Sequence, residues 1–278
     1  MIYLKVKDYS VSNKTFELHL NSEYDMLETK PAPTPSELPN YYKTEDYISH
    51  TDSKRNLLEI IYHTVRKTTL KRKLRLINKL ANKGKLLDIG AGTGDFIQVA
   101  QQNGWNVTGI EPDDQARTIA NTKTNNVVYN LEKLDQLETQ VYDVITLWHV
   151  LEHLPNLEAH IELLKKLLKP NGTLIVAVPN FKSYDANYYK EFWAAYDVPR
   201  HLWHFSKNAI NSLFDKYDMG VIKTLPMKYD AYYVSLLSEK YKTGRMNPFK
   251  AFYIGFLSNL KAKKALEYSS HIYIIKNK

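Results

Sequence analysis

The stretch LLDIGAGTGDF, residues 86–96, constrains the fold more than any other part of the chain. A short apolar run ends at Ile89, as expected for a buried central strand. Gly90, Gly92 and Gly94 follow at alternate positions, where they let the main chain turn sharply and let a ligand approach it closely. Apolar residues then continue at helical spacing from Phe96. The stretch therefore predicts a strand, a tight turn and a helix, which together form the first unit of an α/β fold.

The acidic residues around this turn indicate which ligand it suits. A dinucleotide fingerprint requires a third glycine three positions after the second, and Asp95 stands at that position here. Asp88 lies just before the turn, so two carboxylates flank a loop that would otherwise attract a pyrophosphate. A second predicted strand, residues 107–110, ends at Glu111, whose carboxylate can accept two hydrogen bonds from a ribose diol. This pattern favours a nucleoside ligand that carries positive charge.

DIGAGTGDF followed by VTGIEPDD resembles the cofactor site of class I S-adenosylmethionine-dependent methyltransferases. The resemblance implies that S-adenosyl-L-methionine is the cofactor and S-adenosyl-L-homocysteine the product. It places Asp88 and the glycine turn at the methionine end, Glu111 at the ribose and Asn130 at the adenine. The predicted cofactor-binding residues of this core are Asp88, Gly90, Ala91, Gly92, Gly94, Glu111, Pro112, Asn130, Leu131 and Trp148.

Strand and helix signals alternate regularly over residues 85–179, which predicts a parallel sheet. With the family resemblance, they indicate an α/β, Rossmann-like fold: a seven-stranded, mostly parallel sheet with the last strand antiparallel and helices on both faces. We expect a small β unit with a proline-rich linker in residues 1–40, an N-terminal helical lid in residues 41–84 and the cofactor-binding domain in residues 85–278. Residues 179–205 and 229–267 are expected to be substrate or cap insertions, the second of them helical.

The predicted elements fill this outline. Residues 53–83 form one long helix or two shorter ones, and further helices are predicted over residues 113–123, 156–169 and 206–220. Further strands are predicted over residues 127–129, 142–147, 173–178, 221–225 and 271–275. In similar methyltransferases a segment before the core folds over the cofactor. Tyr42, Tyr47 and His50 are therefore candidates for such a lid, and packing on the core helix is their alternative role.

The stretch WHVLEHLP, residues 148–155, follows the predicted fourth strand, where ligands of open α/β sheets bind. It resembles the HVLEHL segment of small-molecule methyltransferases, including ubiquinone-biosynthesis O-methyltransferases. His149 is the first candidate for a catalytic base, because the usual pKa of histidine lies near neutral pH. Alternatively, His149 packs on the adenine, Glu152 and His153 brace the next helix, or the three side chains bind a metal. We predict that no metal is bound there.

A second informative stretch is VPRHLWHFS, residues 198–206, which resembles a P-x-H-L-x-x-F-S segment of similar enzymes. Arg200 suits an acidic acceptor, since a guanidinium binds a carboxylate or phosphate bidentately. His201 is a candidate for a second catalytic acid or base. A purely structural role is the alternative for both residues, with a hydrogen bond from His201 to Glu152. Trp193 and Tyr196, just before this stretch, are predicted to wall an acceptor pocket.

Composition limits the classes of function. The 278 residues carry a net charge of +8 and include no cysteine, so we expect no disulfide and no cysteine zinc site. No apolar run reaches the length of a membrane span and no signal-peptide pattern is present, so we expect a cytoplasmic protein. Residues 66–75 hold six basic residues and no acidic one, a run that favours a solvated helix face over a nucleic-acid site.

We therefore predict an S-adenosylmethionine-dependent methyltransferase that acts on a small-molecule acceptor, aromatic or lipid-like. A nucleic-acid methyltransferase is the alternative that the basic charge supports; against it, the fourth strand lacks the N/D-P-P-Y-type motif of base-modifying enzymes. A third interpretation assigns residues 249–266, which mix aromatics and lysines, to contact with a membrane or a partner, although a helix pair covering the core is favoured. A cofactor-binding protein without activity also fits. The sequence does not indicate an oligomeric state.

Overall fold

The computed structural model of the protein describes residues 1–42 and 57–278. These residues form two β-sheets with helices packed around them. In chain order, the strands are β1 (Ile2–Lys7), β2 (Thr15–Asn21), β3 (Met26–Lys30), β4 (Lys85–Ile89), β5 (Asn106–Ile110), β6 (Val128–Tyr129), β7 (Tyr142–Trp148), β8 (Leu168–Pro179), β9 (Trp203–His204), β10 (Met219–Pro226) and β11 (Ser270–Asn277).

The larger sheet has seven strands in the order β10-β11-β8-β7-β4-β5-β6. β4 pairs in parallel with both β5 and β7, and the pairs β5–β6 and β7–β8 are parallel as well. β11 runs antiparallel to both of its neighbours, β8 and β10. The prediction of a seven-stranded, mostly parallel sheet with the last strand antiparallel is confirmed. Because β4 is central, the glycine turn that follows it lies beside the carboxyl ends of β5 and β7.

Helices cover both faces of this sheet, and others pack on a separate core shared with β1, β2 and β3. They are α1 (Leu57–Leu80), α2 (Asp95–Gln102), α3 (Asp114–Lys123), α4 (Leu157–Leu167), α5 (Tyr184–Tyr189), α6 (Lys207–Asp215), α7 (Asp230–Thr243) and α8 (Pro248–Ala265). Successive strand residues point to opposite faces, so Leu87 and Ile145 belong to the core that includes α4 and α6. Leu86 and Val144 belong to the core that includes α1, α2 and α3. Within residues 1–42 and 57–278, no helix combines the length and the apolar character that a bilayer span requires.

The smaller sheet joins the first thirty residues to a short strand about 170 residues later in the chain, β9. Its order is β1-β2-β3-β9, and Leu27 and Glu28 of β3 pair antiparallel with His204 and Trp203. The sequence predicts a β unit in residues 1–30 but gives no sign of β9, because a strand of two residues has no detectable period. The N-terminal residues are therefore held directly beside residues 198–206.

Several element boundaries differ from the predicted ones. α4 ends at Leu167, and the predicted turn at residues 170–172 lies inside β8, where the pairing with β7 is irregular. α6 ends at Asp215, earlier than predicted, and Asp218 with a φ of 53° lies in the turn before β10. The helical insertion consists of two helices, the first capped by Gly244 with a φ of 78°. Over its described length, α1 is one continuous helix.

Candidate functional site

The glycine turn connects β4 to α2 at the carboxyl end of the sheet. Gly90, Gly92 and Gly94 have φ values of 74°, 53° and 78°, a left-handed conformation that residues with a Cβ rarely adopt. A Cβ at Gly90 would lie 2.3 Å from a methyl group of Val150, whereas a Cβ at Gly92 would meet nothing within 4 Å. The turn is thus tightly packed at Gly90 and open at Gly92.

Glu111, the residue after β5, is hydrogen-bonded to this turn. Its side chain is buried, and its two oxygens accept hydrogen bonds from the amides of Gly92 at 2.7 Å and Asp113 at 3.0 Å. Burial raises the pKa of the Glu111 carboxyl, although the two amides act in the opposite direction. Each carboxylate oxygen has a second lone pair, so Glu111 can still accept hydrogen bonds from a ligand.

Asp88, near the end of β4, is a second buried carboxylate of the site. Only 2% of the residue is exposed, and Oδ1 accepts a 2.5 Å hydrogen bond from Thr146 Oγ1 on the neighbouring β7. Burial raises the pKa of Asp88 to about 7, against the opposing effects of the Thr146 hydrogen bond and the Lys73 charge. A cation brought next to Asp88 would therefore stabilise its ionised form.

Lys73, from the middle of α1, supplies such a cation from above the sheet. Its Nζ atom lies 4.4 Å from the centroid of the Trp148 ring and 5.8 Å from that of Phe96. Burial lowers the pKa of Lys73 to about 8, although the charges of Asp88 and Asp230 act to raise it. The basic run over residues 66–75 was predicted to be a solvated face, so Lys73 is a site residue that the sequence reasoning missed.

Arg66 is a second member of that run that faces the site. Its guanidinium is paired with the Asp95 carboxylate, which also accepts from Lys123 Nζ at 2.9 Å. Arg66 and Lys73 are seven residues apart, two helical turns, so one face of α1 carries both. That spacing was the available signal. From this spacing alone, however, it could not be inferred that α1 covers the cleft at the carboxyl end of the sheet.

α1, α7 and the carboxyl end of the sheet enclose a cleft of about 350 Å³. Four predicted cofactor residues, Asp88, Gly90, Ala91 and Trp148, line it. Within the described residues, the buried Trp148 indole N–H has no hydrogen-bond acceptor. The full lining consists of Val65, Arg66, Thr69, Leu70, Lys73, Asp88, Gly90, Ala91, Thr93, Asp95, Phe96, Trp148, Tyr229, Asp230 and Tyr233.

The remaining predicted cofactor residues lie around the ends of β5 and β6. Pro112 follows Glu111 and is exposed. Asn130 and Leu131 follow β6, where the Asn130 amide donates to Glu132 at 3.2 Å and Leu131 is 46% exposed. Their contact with an adenine stays a prediction.

His149 occupies the end of β7 in a left-handed conformation, with a φ of 58°. Its Nε2 atom lies 3.1 Å from Asp230 Oδ2 and its Nδ1 atom 3.5 Å from Glu152 Oε1. Burial alone would lower the pKa of His149, but the two carboxylates outweigh it and raise the pKa to about 10. The two carboxylates thus favour the imidazolium form of His149 in the free protein, and a role as catalytic base would require that this arrangement change on binding; that role stays a prediction.

Arg200 and His201 lie between the end of β7 and the N-terminal sheet. The Arg200 guanidinium is paired with Asp197 and donates to Ser10 Oγ at 3.1 Å. The His201 ring is 2.9 Å from the Ala195 carbonyl through Nδ1, and burial lowers its pKa well below the usual value. Neither residue belongs to the lining of the cleft. Their roles toward an acceptor stay predictions.

Trp193 and Tyr196 are packed inside the molecule rather than along the cleft. They are 1% and 2% exposed and belong to the apolar core shared with β1, β2 and β3. The Trp193 indole donates to the buried Asp185 carboxylate at 2.8 Å. An acceptor would reach these two side chains only after the surrounding core had moved.

Of the three candidate lid residues, Tyr42 is described, while Tyr47 and His50 lie outside the described residues. The Tyr42 hydroxyl is 3.0 Å from Nδ1 of His153, just after β7. This contact places the start of the predicted lid over residues 148–155.

Comparison with known proteins was made on sequence and on fold. Residues 61–224 match the family described as Methyltransferase domain. The ubiquinone biosynthesis O-methyltransferase of Photobacterium profundum is 31% identical over 109 residues, which cover 36% of this chain and 46% of the relative. That of Rickettsia akari is 34% identical over 108 residues, covering 37% and 43%. The matched region is thus less than half the length of these relatives.

Solved structures show the same fold at low sequence identity. A SAM-dependent methyltransferase from Archaeoglobus fulgidus superposes with a TM-score of 0.54 at 16% identity, covering 80% of this chain and all of the other. Magnesium protoporphyrin IX methyltransferase from Synechocystis PCC 6803, solved with bound SAH, gives a TM-score of 0.55 at 17% identity, covering 84% and 94%.

Proposed function

The chain belongs to the methyltransferase-domain family, and from this premise we propose that it transfers a methyl group from S-adenosyl-L-methionine to a small-molecule acceptor. S-adenosyl-L-homocysteine is then the product. The names of its sequence relatives, ubiquinone biosynthesis O-methyltransferases, support an acceptor of low molecular weight. The single observation that carries the proposal is the pair of buried carboxylates, Asp88 and Glu111, on either side of an open glycine turn.

The residues around the cleft fit this cofactor. Asp88 is buried with one hydrogen-bond donor and a raised pKa, so a ligand ammonium group would stabilise its carboxylate. Glu111 and Gly92 lie outside the lining of the cleft, on and beside the glycine turn: Glu111 retains lone pairs for a ribose diol, and a Cβ at Gly92 would meet nothing within 4 Å. The buried indole N–H of Trp148 offers a donor, and no acceptor within the described residues uses it.

When bound, S-adenosylmethionine supplies a sulfonium methyl group, which is already attached to a good leaving group. The chain therefore needs mainly to align the acceptor and exclude water. Residues of α1 and α7 form walls of the cleft at the carboxyl end of the sheet, where they would help to shield a bound cofactor from solvent. We assign orientation of the acceptor to the pair His149 and Asp230, since Asp230 lines the cleft and His149 fixes its carboxylate.

Isothermal titration calorimetry with S-adenosylmethionine, S-adenosylhomocysteine and NAD tests the cofactor. We expect the first two to bind and NAD not to bind, and we expect Glu111→Gln to weaken binding at least tenfold, as loss of a charged hydrogen-bond acceptor does. Glu138→Gln, at a side chain that is 76% exposed, is the matched control. Binding of NAD in preference to S-adenosylmethionine would contradict the proposal.

An acceptor screen tests the reaction itself. The protein is incubated with S-adenosylmethionine and pools of phenolic, carboxylic and amine compounds, and products heavier by one methylene unit are sought by mass spectrometry. Formation of S-adenosylhomocysteine together with one such product supports the proposal. If the cofactor binds and no pool is methylated, a cofactor-binding protein without this activity is the conclusion.

The exposed face of α8 supports contact with an anionic membrane surface as an additional property. Phe249 is 90% exposed, Phe252 is 64% exposed although one face of its ring stacks on Tyr232 of α7, and Lys263 and Lys264 follow in the last turn. Such a helix suits an interface in which aromatics insert and lysines meet lipid phosphates. Flotation with phosphatidylglycerol-containing vesicles should carry the protein, and the double variant Phe249→Ser, Phe252→Ser should abolish this. Tyr129→Ser, at another exposed aromatic, should leave flotation unchanged.

A nucleic-acid substrate is not favoured. Of the basic run over residues 66–75, Arg66 is paired with Asp95, and Lys73 is turned toward Trp148 in the cleft. These two charges are therefore not offered to a phosphate backbone.

A further inference from the structure

Three side chains beside the cleft form a group whose chemistry the proposed methyl transfer does not use. Glu152 and His153 lie in the short turn after β7, and His201 comes from the segment before β9. One ligand atom from each lies within 4.8 Å of the other two. The sequence analysis considered a metal site of His149, Glu152 and His153 and, separately, a hydrogen bond from His201 to Glu152. The fold brings His201 close to Glu152 and His153, from about fifty residues further along the chain, but without that hydrogen bond.

Glu152 is the member that points to a bound ligand. The residue is 1% exposed, and neither of its carboxylate oxygens accepts a hydrogen bond within the described structure. The nearest recorded cationic atom is Nδ1 of His149, at 3.5 Å, too long for a good hydrogen bond. His149, which also pairs with Asp230, thus gives this carboxylate an ion-pair partner but no hydrogen bond, and a bound cation would satisfy the buried oxygens directly.

Both imidazoles are oriented by hydrogen bonds to main-chain carbonyls. His201 Nδ1 lies 2.9 Å from the Ala195 carbonyl, and His153 Nδ1 lies 3.1 Å from the Arg200 carbonyl and 3.0 Å from the Tyr42 hydroxyl, which can accept from the same N–H. When Nδ1 donates to a carbonyl, Nε2 is left with a lone pair, which is the usual arrangement behind a metal-bound histidine. The rings face each other edge to face with centroids 4.5 Å apart. Asp197 Oδ2, 3.7 Å from His201 Nε2, adds negative charge nearby.

We propose that Glu152, His153 and His201 form a binding site for a divalent transition-metal cation of the Zn²⁺ type. Two imidazole nitrogens and one carboxylate are a ligand set that Zn²⁺ and its first-row neighbours prefer, whereas Mg²⁺ prefers oxygen ligands. Three protein ligands leave a coordination position open. Glu152 contacts His149, which is paired with Asp230 in the lining of the cleft, so the proposed metal site is linked to the cleft through these two residues.

The test uses the full chain without an affinity tag, freed of metal by dialysis against a chelator. Zn²⁺ is titrated against a chromophoric competitor, and Mg²⁺ is titrated separately. We expect one Zn²⁺ per chain, and at least tenfold weaker binding in Glu152→Gln and in His201→Gln. His160→Gln, at a histidine on α4 hydrogen-bonded to Asn156, is the control and should bind Zn²⁺ as the parent does.

Thermal unfolding separates loss of the site from loss of the fold. Without metal, Glu152→Gln should still unfold cooperatively, and its melting temperature gives the baseline for the metal effect, since the change removes both a buried charge and the ion pair with His149. With Zn²⁺, the parent should gain melting temperature and Glu152→Gln should not. Zn²⁺ stabilisation of equal size in parent and Glu152→Gln, or no stoichiometric uptake by the parent, would overturn the proposal. Neither readout involves S-adenosylmethionine, so the outcome is independent of the proposed function.

Discussion

The ammonium group of Lys73 lies 4.4 Å from the centroid of the Trp148 ring, in the cleft that also contains Asp88. A helix before the sheet thus places a positive charge where a cationic cofactor is proposed to bind. The charge balances Asp88 in the free protein and opposes a sulfonium in the complex.

Lys73→Met should therefore shift selectivity toward the charged form of the cofactor. Two unit charges about 8 Å apart at an effective dielectric constant of about 20 interact by about 2 kcal/mol. We expect the affinity for S-adenosylmethionine, relative to that for the uncharged thioether S-adenosylhomocysteine, to rise by up to about thirtyfold. Calorimetry with both ligands measures this ratio. Lys79→Met, at an exposed lysine in the last turn of α1, should leave it unchanged.

Cofactor affinity should depend on pH through Asp88. Its pKa is raised to about 7, so near pH 6 most of the free protein carries a neutral carboxyl. A cationic ligand binds the carboxylate more tightly, so affinity should increase between pH 6 and 7.5, by at most tenfold per pH unit. Above this range the α-amino group of the ligand begins to lose its own proton. Asp88→Asn should bind weakly and with little pH dependence; an unchanged slope would show that another group is responsible.

Gly92→Ala should separate a backbone effect from an effect on the ligand. Gly92 and Gly244 both have positive φ values, 53° and 78°, and a Cβ at either position meets nothing within 4 Å. Alanine should cost about 1 kcal/mol of stability at both. Only at Gly92 would the added methyl occupy the proposed nucleoside space, so only Gly92→Ala should lose S-adenosylhomocysteine binding. Chemical denaturation and calorimetry on the two variants measure these effects.

The N-terminal sheet should contribute measurably to stability through Thr29. Its buried hydroxyl donates to the His201 carbonyl at 2.6 Å and lies 3.0 Å from His204 Nε2. Thr29→Val leaves these buried groups without the hydroxyl and should lower the free energy of unfolding by about 1–3 kcal/mol. Thr15→Val, at an exposed position of β2, should change it little. Equal losses of unfolding free energy in Thr29→Val and Thr15→Val, measured by urea denaturation, would contradict this stabilising role of Thr29.

The sequence predicts the parts of the fold that local patterns encode. Gly90, Gly92 and Gly94 predict the turn, and apolar runs predict β4, β5 and β7 within one or two residues. The end of β8 nearest α4 was misplaced because Pro170 and Gly172 indicated a turn, whereas they lie in an irregular stretch of strand.

Contacts between distant segments were not predictable in the same way. Lys73 belongs to a run whose charges resemble any solvated helix face, and nothing local shows that α1 lies across the cleft. A contact of His201 with Glu152 was one of the expectations, but its geometry, close and without a hydrogen bond, depends on how residues 190–202 fold back through short turns without a repeating pattern. The pKa of His149 depends on Asp230, eighty-one residues later, so the expected general base could not be assessed from the strand end alone.

The pairing of β3 with β9 also has a consequence for exchanging parts between relatives. Because β9 (residues 203–204) completes the N-terminal sheet, residues 1–30 and the stretch around Arg200 form one structural unit, despite their separation in the chain. A chimera that exchanges only the first forty residues would bring in a β3 from the relative without the β9 with which it pairs there. Exchanging both segments together is the smallest replacement that keeps the pairing of β3 with β9 intact.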